Sequence, residues 1–297
     1  MKYTGTTFRP PFEANSLLLQ VTTGCSHNKC SFCTMYRDVP FGVEPMEQIE
    51  QDLAEAKMYA PGARRVFLEN GDPFALSADR LEAIALKIHE YLPHVQTIAM
   101  YASINNIRGK SDAELVRLRE LGINELNVGV ESGLDEALAL MSKGYDSKEA
   151  LYELMRLRAA GMDYGANVIF GGAGPGRLRE NALATAEIVN KTTPYLIFTG
   201  TIHADPGCPL YDDIQSGRFI EPTLGEHIDE EELFLEKLEL ENCLYFGLHP
   251  SNVVRMQGWL PRDKEAMLEE VRKTRTRLAG RLNDRPFRYG EGAIALL

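Results

Sequence analysis

Between Ser16 and Thr199 the chain repeats one pattern six times: a short run rich in β-branched and aromatic residues, then a longer stretch with apolar positions three and four apart. The short runs predict strands over Ser16–Thr22, Arg65–Glu69, Gln96–Ala102, Glu125–Val130, Tyr164–Phe170 and Tyr195–Thr199. The longer stretches predict helices over Met46–Tyr59, Ala78–Tyr91, Asp112–Leu121, Ser147–Ala160 and Leu178–Asn190. Alternation of this kind predicts an α/β fold whose parallel strands are joined by crossover helices.

Local signals agree with these limits. Ser77 and Ser111 stand where an N-cap oxygen is needed, and Gly122 and Gly161 where helices should stop. After the sixth strand the rhythm breaks into an acidic helix around Asp229–Leu240, a loop segment LYFGLHPSNVVRMQGWLP and a last helix over Arg262–Ala279. The expected organisation is a core over residues 1–210 and a C-terminal extension over 211–297 that packs on it. No internal repeat or Gly/Ser linker marks a second independent domain.

Composition adds little to the fold but narrows the partners. Of 297 residues, 44% are hydrophobic and 25% charged, an ordinary globular balance with material for one large core. No run of about 18 apolar residues exists, and the opening MKYTGTTFRPPFEANS lacks a basic region followed by an apolar stretch. The expectation is a soluble, cytoplasmic protein with no membrane partner. A net charge of -11 repels phosphate backbones, which argues against nucleic acid as a partner. The basic positions between Arg272 and Arg288 are spread around several helix faces and read as a solvated helix and tail.

Cysteine usage is more telling. Three of the five cysteines fall within TTGCSHNKCSFCTMYRD, directly after the first strand, while Cys208 and Cys243 stand apart. Such clustering in a reducing compartment indicates metal ligation rather than a disulfide framework. Cys25, Cys30 and Cys33 can hold three corners of an iron-sulfur cubane and leave its fourth iron open. The alternative is zinc on Cys25, His27, Cys30 and Cys33, although such sites usually join separated pairs of ligands.

A cysteine trio after the first strand of a βα repeat, with Phe32 before the last cysteine, resembles the radical S-adenosylmethionine superfamily. The spacing here is four residues and then two, where three and then two is usual. Later segments are similar to the branch that holds elongator-type and anaerobic coproporphyrinogen-oxidase-like proteins, and the resemblance covers roughly Leu17 to Leu210. It implies a partial (β/α)6 TIM-like barrel of parallel strands with a C-terminal extension. It also implies two cofactors, a [4Fe-4S] cluster and S-adenosylmethionine, which is cleaved reductively to a 5′-deoxyadenosyl radical that abstracts hydrogen from a substrate.

The same resemblance assigns residues. VFLENGDPFAL matches the segment that holds the methionyl amino group, at Glu69, Asn70, Gly71 and Asp72; YASINNI offers Ser103 and Asn105. LNVGVESGLDEALALMSKG places Glu131 and Ser132 beside the cofactor, and GANVIFGGAG resembles the adenine-packing strand through Ile169 and Gly171, with Asn167 in place of its usual first glycine and offered to the ribose. Arg156 or Arg158 would meet the methionyl carboxylate, since a guanidinium fork pairs bidentately with it. Substrate would lie near His203, Asp205, Cys208, His249 and Asn252, with His203, Cys208 and His249 as candidates to transfer a proton or hydrogen. Expected partners are a small-molecule substrate and an electron donor such as flavodoxin or ferredoxin. An RNA-modifying enzyme of the same class and a zinc-stabilised, non-catalytic barrel stand as the alternatives.

Overall fold

The computed structural model describes residues 1–285. The chain divides into two compact units, one built from Met1–Asn28, Met35–Gly129 and Tyr152–Tyr164, the other from Lys29–Thr34, Val130–Leu151 and the residues from Gly165 onward.

The first unit contains β1 (Leu17–Gln20), β2 (Thr22–Thr23), β3 (Gly42–Val43), α1 (Met46–Tyr59), β4 (Arg65–Glu69), α2 (Ala78–Tyr91), β5 (Thr97–Ala102), α3 (Ile104–Arg108), α4 (Asp112–Glu120) and most of β6 (Ile123–Glu131). Parallel pairing runs β1 to β4, β4 to β5 and β5 to β6, while β2 and β3 form a small antiparallel pair around the cysteine loop. The helices close on their expected signals. Ser77 caps α2, and Ser111 forms a reciprocal capping box with Glu114 at the start of α4. Each helix turns an apolar face onto the sheet; α2 buries Leu81, Ile84, Ala85 and Ile88.

Within this unit the N-terminal end of the strand face is closed by charge. Arg65 on β4 pairs with the fully buried Glu13 at 2.5 Å and with Glu125 on β6 at 2.6 Å. Buried carboxylates survive when they are paired and hydrogen-bonded in this way. Ligands in parallel α/β folds meet the opposite, C-terminal strand ends.

The second unit contains α5 (Asp135–Leu140), the start of α6 (Ser147–Ala159), β7 (Asp163–Phe170, from Gly165), α7 (Leu178–Thr192), β8 (Leu196–Thr201), α8 (Pro209–Gln215), α9 (Leu224–Lys237), β9 (Cys243–Phe246), β10 (Gln257–Leu260) and α10 (Lys264–Arg277). Strands β7, β8 and β9 are parallel and β10 runs antiparallel to β9. Both units are therefore α/β with mostly parallel strands, as the alternation predicts.

Three features differ from the sequence reading. The segment expected as a loop holds β9 and β10, four residues each, with Gly247 and Pro250 between them hiding the alternation. Helix α9 starts five residues before the expected Asp229, at Leu224, because Thr223 and Glu226 form a capping box there. The basic positions of α10 are tied down locally: Arg275 pairs with Asp229 and Glu232, and Arg272 with Glu269. Arg288 lies outside the described residues. No helix among the described residues is long and apolar enough to cross a membrane.

Candidate functional site

In the first unit, β4 delivers its last residues into a sharp turn. Asn70 adopts a left-handed backbone, φ 84°, which costs a non-glycine residue energy and is held only where the surroundings fix it. Gly71 donates its N–H to the Gly24 carbonyl at 3.0 Å. A Cβ at Gly71 would lie 2.6 Å from the Cys25 Cβ, so only glycine lets the turn approach the first cysteine this closely.

Glu69 is wholly buried beside this turn. Its Oε2 takes the Asn70 N–H at 3.3 Å, but Oε1 has no partner, nor has the Asn70 Nδ2. Burial pushes the Glu69 carboxyl up to about 7. Buried polar atoms are nearly always satisfied in native proteins, so a carboxylate oxygen and an amide donor left over together mark a place where a polar ligand fits.

On β5, Tyr101 follows Met100, the register partner of Leu68, and itself pairs in register with Asn127 of β6. Asn127 is buried, with neither side-chain polar atom satisfied. The sequence reading missed it. The signal was present as an amide inside the apolar run LNVGV.

Asp72 has a different place from the one expected. Its carboxylate accepts the Ser26 N–H at 2.8 Å, the Ser26 hydroxyl and the Asn106 amide at 3.4 Å, so it ties the cysteine loop to the start of α3. Ser103 is likewise engaged, in a capping box with Asn106, and Asn105 accepts from Arg108 at 2.8 Å. Arg156 is held on α6 by Asp112 and Glu153, each at 2.6 Å, and by the Lys110 carbonyl. Arg158 lies exposed two residues further along the helix.

The second unit holds the remaining cysteines of the trio. Cys33 donates its N–H to the Cys30 carbonyl at 3.3 Å, and Ser31 between them is anchored to Met141 and Leu140 and takes the Leu210 N–H. Phe32 packs with Leu140, Ile202 and Tyr211 against Ala204, Cys208, Leu210 and Phe219. Cys208 is 1% exposed in that apolar cluster and stands at the N-cap position of α8 without a side-chain cap bond.

The strongest charge in this unit was also missed. Lys143, in the SKG turn after α5, is buried and donates to Glu131 Oε1 at 2.8 Å. Burial pulls the ammonium down, but Glu131 and then Tyr145 and Cys30 outweigh it and leave Lys143 well above its usual range. Nothing in its sequence neighbourhood distinguishes it from a surface lysine. Glu131 itself has φ 61°, again left-handed, and Ser132 is wholly buried, donating to Asn181.

On β7, β8 and β9 the register aligns Asn167, Phe198 and Phe246, with Ile169 and Gly200 one level above. These positions are half-exposed while their neighbours are buried. Phe198 stacks on Phe246 with ring centroids 5.8 Å apart and meets His249 edge-on, also at 5.8 Å. His203 bonds to Asp205 at 2.9 Å, and His249 bonds to Ser251 at 2.7 Å. Burial, then Arg255 and His203, lower the His249 pKa, which favours its neutral form. Asn252 donates to the Thr199 and Gly247 carbonyls at 2.9 and 3.0 Å, so it holds the ends of β8 and β9 together.

All five cysteines are thiols. Among the described residues no three His, Cys, Asp or Glu side chains form a group that could hold a metal ion. The unsatisfied buried atoms are acceptors at Glu69 and Asn127 and amide donors at Asn70 and Asn127.

Comparison with known proteins agrees. The chain is 24% identical over 200 residues to the heme chaperone HemW of Bacillus subtilis (strain 168), a match spanning 66% of this chain and 52% of HemW. It thus spans about half the length of that relative. The fold is similar to the radical S-adenosylmethionine methyltransferase TsrM from Kitasatospora setae, solved with cobalamin and a [4Fe-4S] cluster bound, at TM-score 0.57 and 16% identity over 68% of this chain and 39% of TsrM. It is also similar to coproporphyrinogen III oxidase, HemN, from Escherichia coli, at TM-score 0.53 and 17% identity over 75% of this chain and 50% of HemN. The model of the radical SAM superfamily matches residues 19–189, more than half of the sequence. The chain belongs to the radical SAM superfamily, whose cofactors are a [4Fe-4S] cluster and S-adenosylmethionine.

Proposed function

We propose that this chain is a radical S-adenosylmethionine enzyme acting on a small-molecule substrate, in which Cys25, Cys30 and Cys33 each hold one corner of the [4Fe-4S] cluster. Together the two cofactors supply hydrogen abstraction by a carbon radical, after one electron arrives from a donor of the flavodoxin or ferredoxin kind. The observation that carries this reading is the buried pair of unsatisfied atoms, Glu69 Oε1 and Asn70 Nδ2, beside the Gly71–Cys25 contact.

In this reading Glu69 and the turn at Asn70–Gly71 accept the methionyl ammonium, with Ser103 and Asn105 flanking it. Lys143 replaces Arg156 as the cation for the methionyl carboxylate, because it is the buried charge in the field of Cys30. Glu131 and Ser132 face the ribose, and Asn167 and Ile169 line the adenine side. The Phe198–Phe246 pair with His203 and His249 forms the substrate wall, where a neutral imidazole can accept a proton. Residues 1–210 carry the chemistry and 211–297 cover it, in a cytoplasmic protein.

Anaerobic reconstitution with iron and sulfide tests the proposal. About four irons per chain and 5′-deoxyadenosine formed from S-adenosylmethionine on reduction are expected; stoichiometric zinc and no 5′-deoxyadenosine would end it. The relation to a heme chaperone supports a second reading, that the substrate or cargo is heme-related. A titration with heme followed by its absorbance decides that point. The acidic surface disfavours RNA as substrate, and tight tRNA binding at moderate salt would reverse this.

A further inference from the structure

Four residues distant in sequence form one buried chain of hydrogen bonds in the second unit. Ser132, just past β6, donates its hydroxyl to Asn181 Oδ1 on α7. Asn181 donates its amide to Glu230 Oε1 on α9 at 2.6 Å, and Glu230 Oε2 accepts the Gly171 N–H, just past β7, at 2.7 Å. Ser132, Asn181 and Glu230 are each no more than 1% exposed. The chain is directional: Glu230 accepts on both oxygens, from the Asn181 amide and from the Gly171 N–H.

Burial raises the Glu230 carboxyl to about 8, against the pull of the Asn181 and Gly171 bonds. A helix packed on a sheet needs no such group, since an apolar side chain of similar volume would be as stable or more so. What the carboxylate adds is placement of two strand ends. Gly171 has φ 84°, and a Cβ there would lie 2.4 Å from the His227 ring, so α9 presses on this turn from behind while Glu230 holds its N–H. The adjacent Glu231 is engaged elsewhere, accepting the Tyr245 hydroxyl at 2.8 Å.

We propose that Glu230 is a positioning residue for the bound nucleoside-containing cofactor: it fixes the Ser132 hydroxyl through Asn181 and the turn at Gly171 directly. Helix α9, outside the matched family region, thereby sets the affinity of the site. This rests on the reading that Ser132 and the end of β7 face S-adenosylmethionine.

The test is equilibrium dialysis of S-adenosylmethionine against the reconstituted full chain, with unfolding midpoints measured alongside. Glu230→Gln turns one acceptor into a donor that faces another donor, and weakens binding about 5- to 30-fold, the size of one lost charged hydrogen bond. Combining Glu230→Gln with Asn181→Asp reverses the central bond, keeps the bonds from Ser132 and Gly171 in their original direction, and restores affinity to within about threefold, because every bond is remade. Tyr245→Phe cuts the neighbouring bond on α9 without touching Ser132 or Gly171; it lowers the unfolding midpoint and leaves affinity unchanged.

Wild-type affinity in Glu230→Gln, or a folded double variant that stays weak, overturns the positioning role. Equal losses in Tyr245→Phe and Glu230→Gln do the same, since they reduce the effect to loosening of α9. Should Glu230→Gln fail to fold, the double variant decides alone. If the wild-type chain binds no S-adenosylmethionine, the underlying functional reading fails as well.

Discussion

Replacing Gly71 by alanine adds one methyl group at a close approach in the first unit. That carbon would sit 2.6 Å from the Cys25 Cβ, 2.8 Å from the Gly24 carbonyl oxygen and 3.0 Å from the Cys25 Cα, where ordinary contact begins at 3.4 Å. Two of the three neighbours are backbone, so no side-chain rotation relieves the clash. The segments must part by most of an ångström, and doing so breaks the Gly71 N–H bond to Gly24. Overpacking costs about 1–3 kcal/mol, and the lost hydrogen bond about 1 kcal/mol. The expected destabilisation is therefore about 2–4 kcal/mol, a roughly 30- to 1,000-fold fall in the folded-to-unfolded ratio. Gly62→Ala is the control, because a Cβ there meets nothing within 4 Å. Urea unfolding of the protein without cofactors, followed by circular dichroism, reads the difference, and iron per chain after reconstitution reads the displacement of Cys25. If Gly71→Ala unfolds at the same midpoint as Gly62→Ala, the turn and the cysteine loop are not pressed together and the argument from close approach fails.

Removing one partner of the buried Lys143–Glu131 pair by Lys143→Met should destabilise the protein by about 3–5 kcal/mol, while Lys143→Met with Glu131→Gln should lose distinctly less; chemical unfolding of both variants checks this. Asn252→Ala strips donors from the Thr199 and Gly247 carbonyls and should cost about 1–3 kcal/mol, seen as faster amide exchange confined to β8 and β9. Burial raises Glu231 to about 8. The folded state then holds its proton above the pH at which the unfolded chain releases it, so stability falls as pH rises from about 4.5 to about 8. Glu231→Gln should flatten the fall of unfolding midpoint over that window, and an unchanged pH profile would refute the assignment.

The sequence made β4 through β8 legible because each is an apolar, β-branched run between helices with periodic apolar faces. It overran at β1, read as Ser16–Thr22, because pairing to β4 ends at Gln20 and Thr22–Thr23 pairs instead with Gly42–Val43. At the site, the cysteines stood out by residue type, and the ENG turn through the family resemblance that they carry. Lys143 did not, since an SKG turn looks the same whether its lysine meets water or a buried glutamate. Glu230 and Glu231 were read only as part of an acidic helix: burial of one face of α9 is decided by α7 and the strands beneath it, and a run of glutamates carries no mark of that.

Backbone conformation links the parts that were legible to those that were not. In the first unit β4 is followed by Asn70 at φ 84°, and in the second β6 ends on Glu131 at φ 61° and β7 is followed by Gly171 at φ 84°. A left-handed residue at a strand's end turns the chain abruptly, so the next N–H and the last side chain are presented beyond the sheet instead of being absorbed in its ladder. Asparagine tolerates that backbone and glycine adopts it freely, but glutamate does not, and a strained non-glycine residue costs about 1–3 kcal/mol. Glu131 keeps the conformation because Lys143 holds its carboxylate and Tyr145 donates to the carbonyl of Val130 just before it. Relieving that strain would be simple for a protein with only a fold to maintain: glycine at position 131 would fit the backbone and remove the buried charge. The structure instead surrounds a strained glutamate with the partners needed to keep it, which supports the proposal that the end of β6 binds ligand.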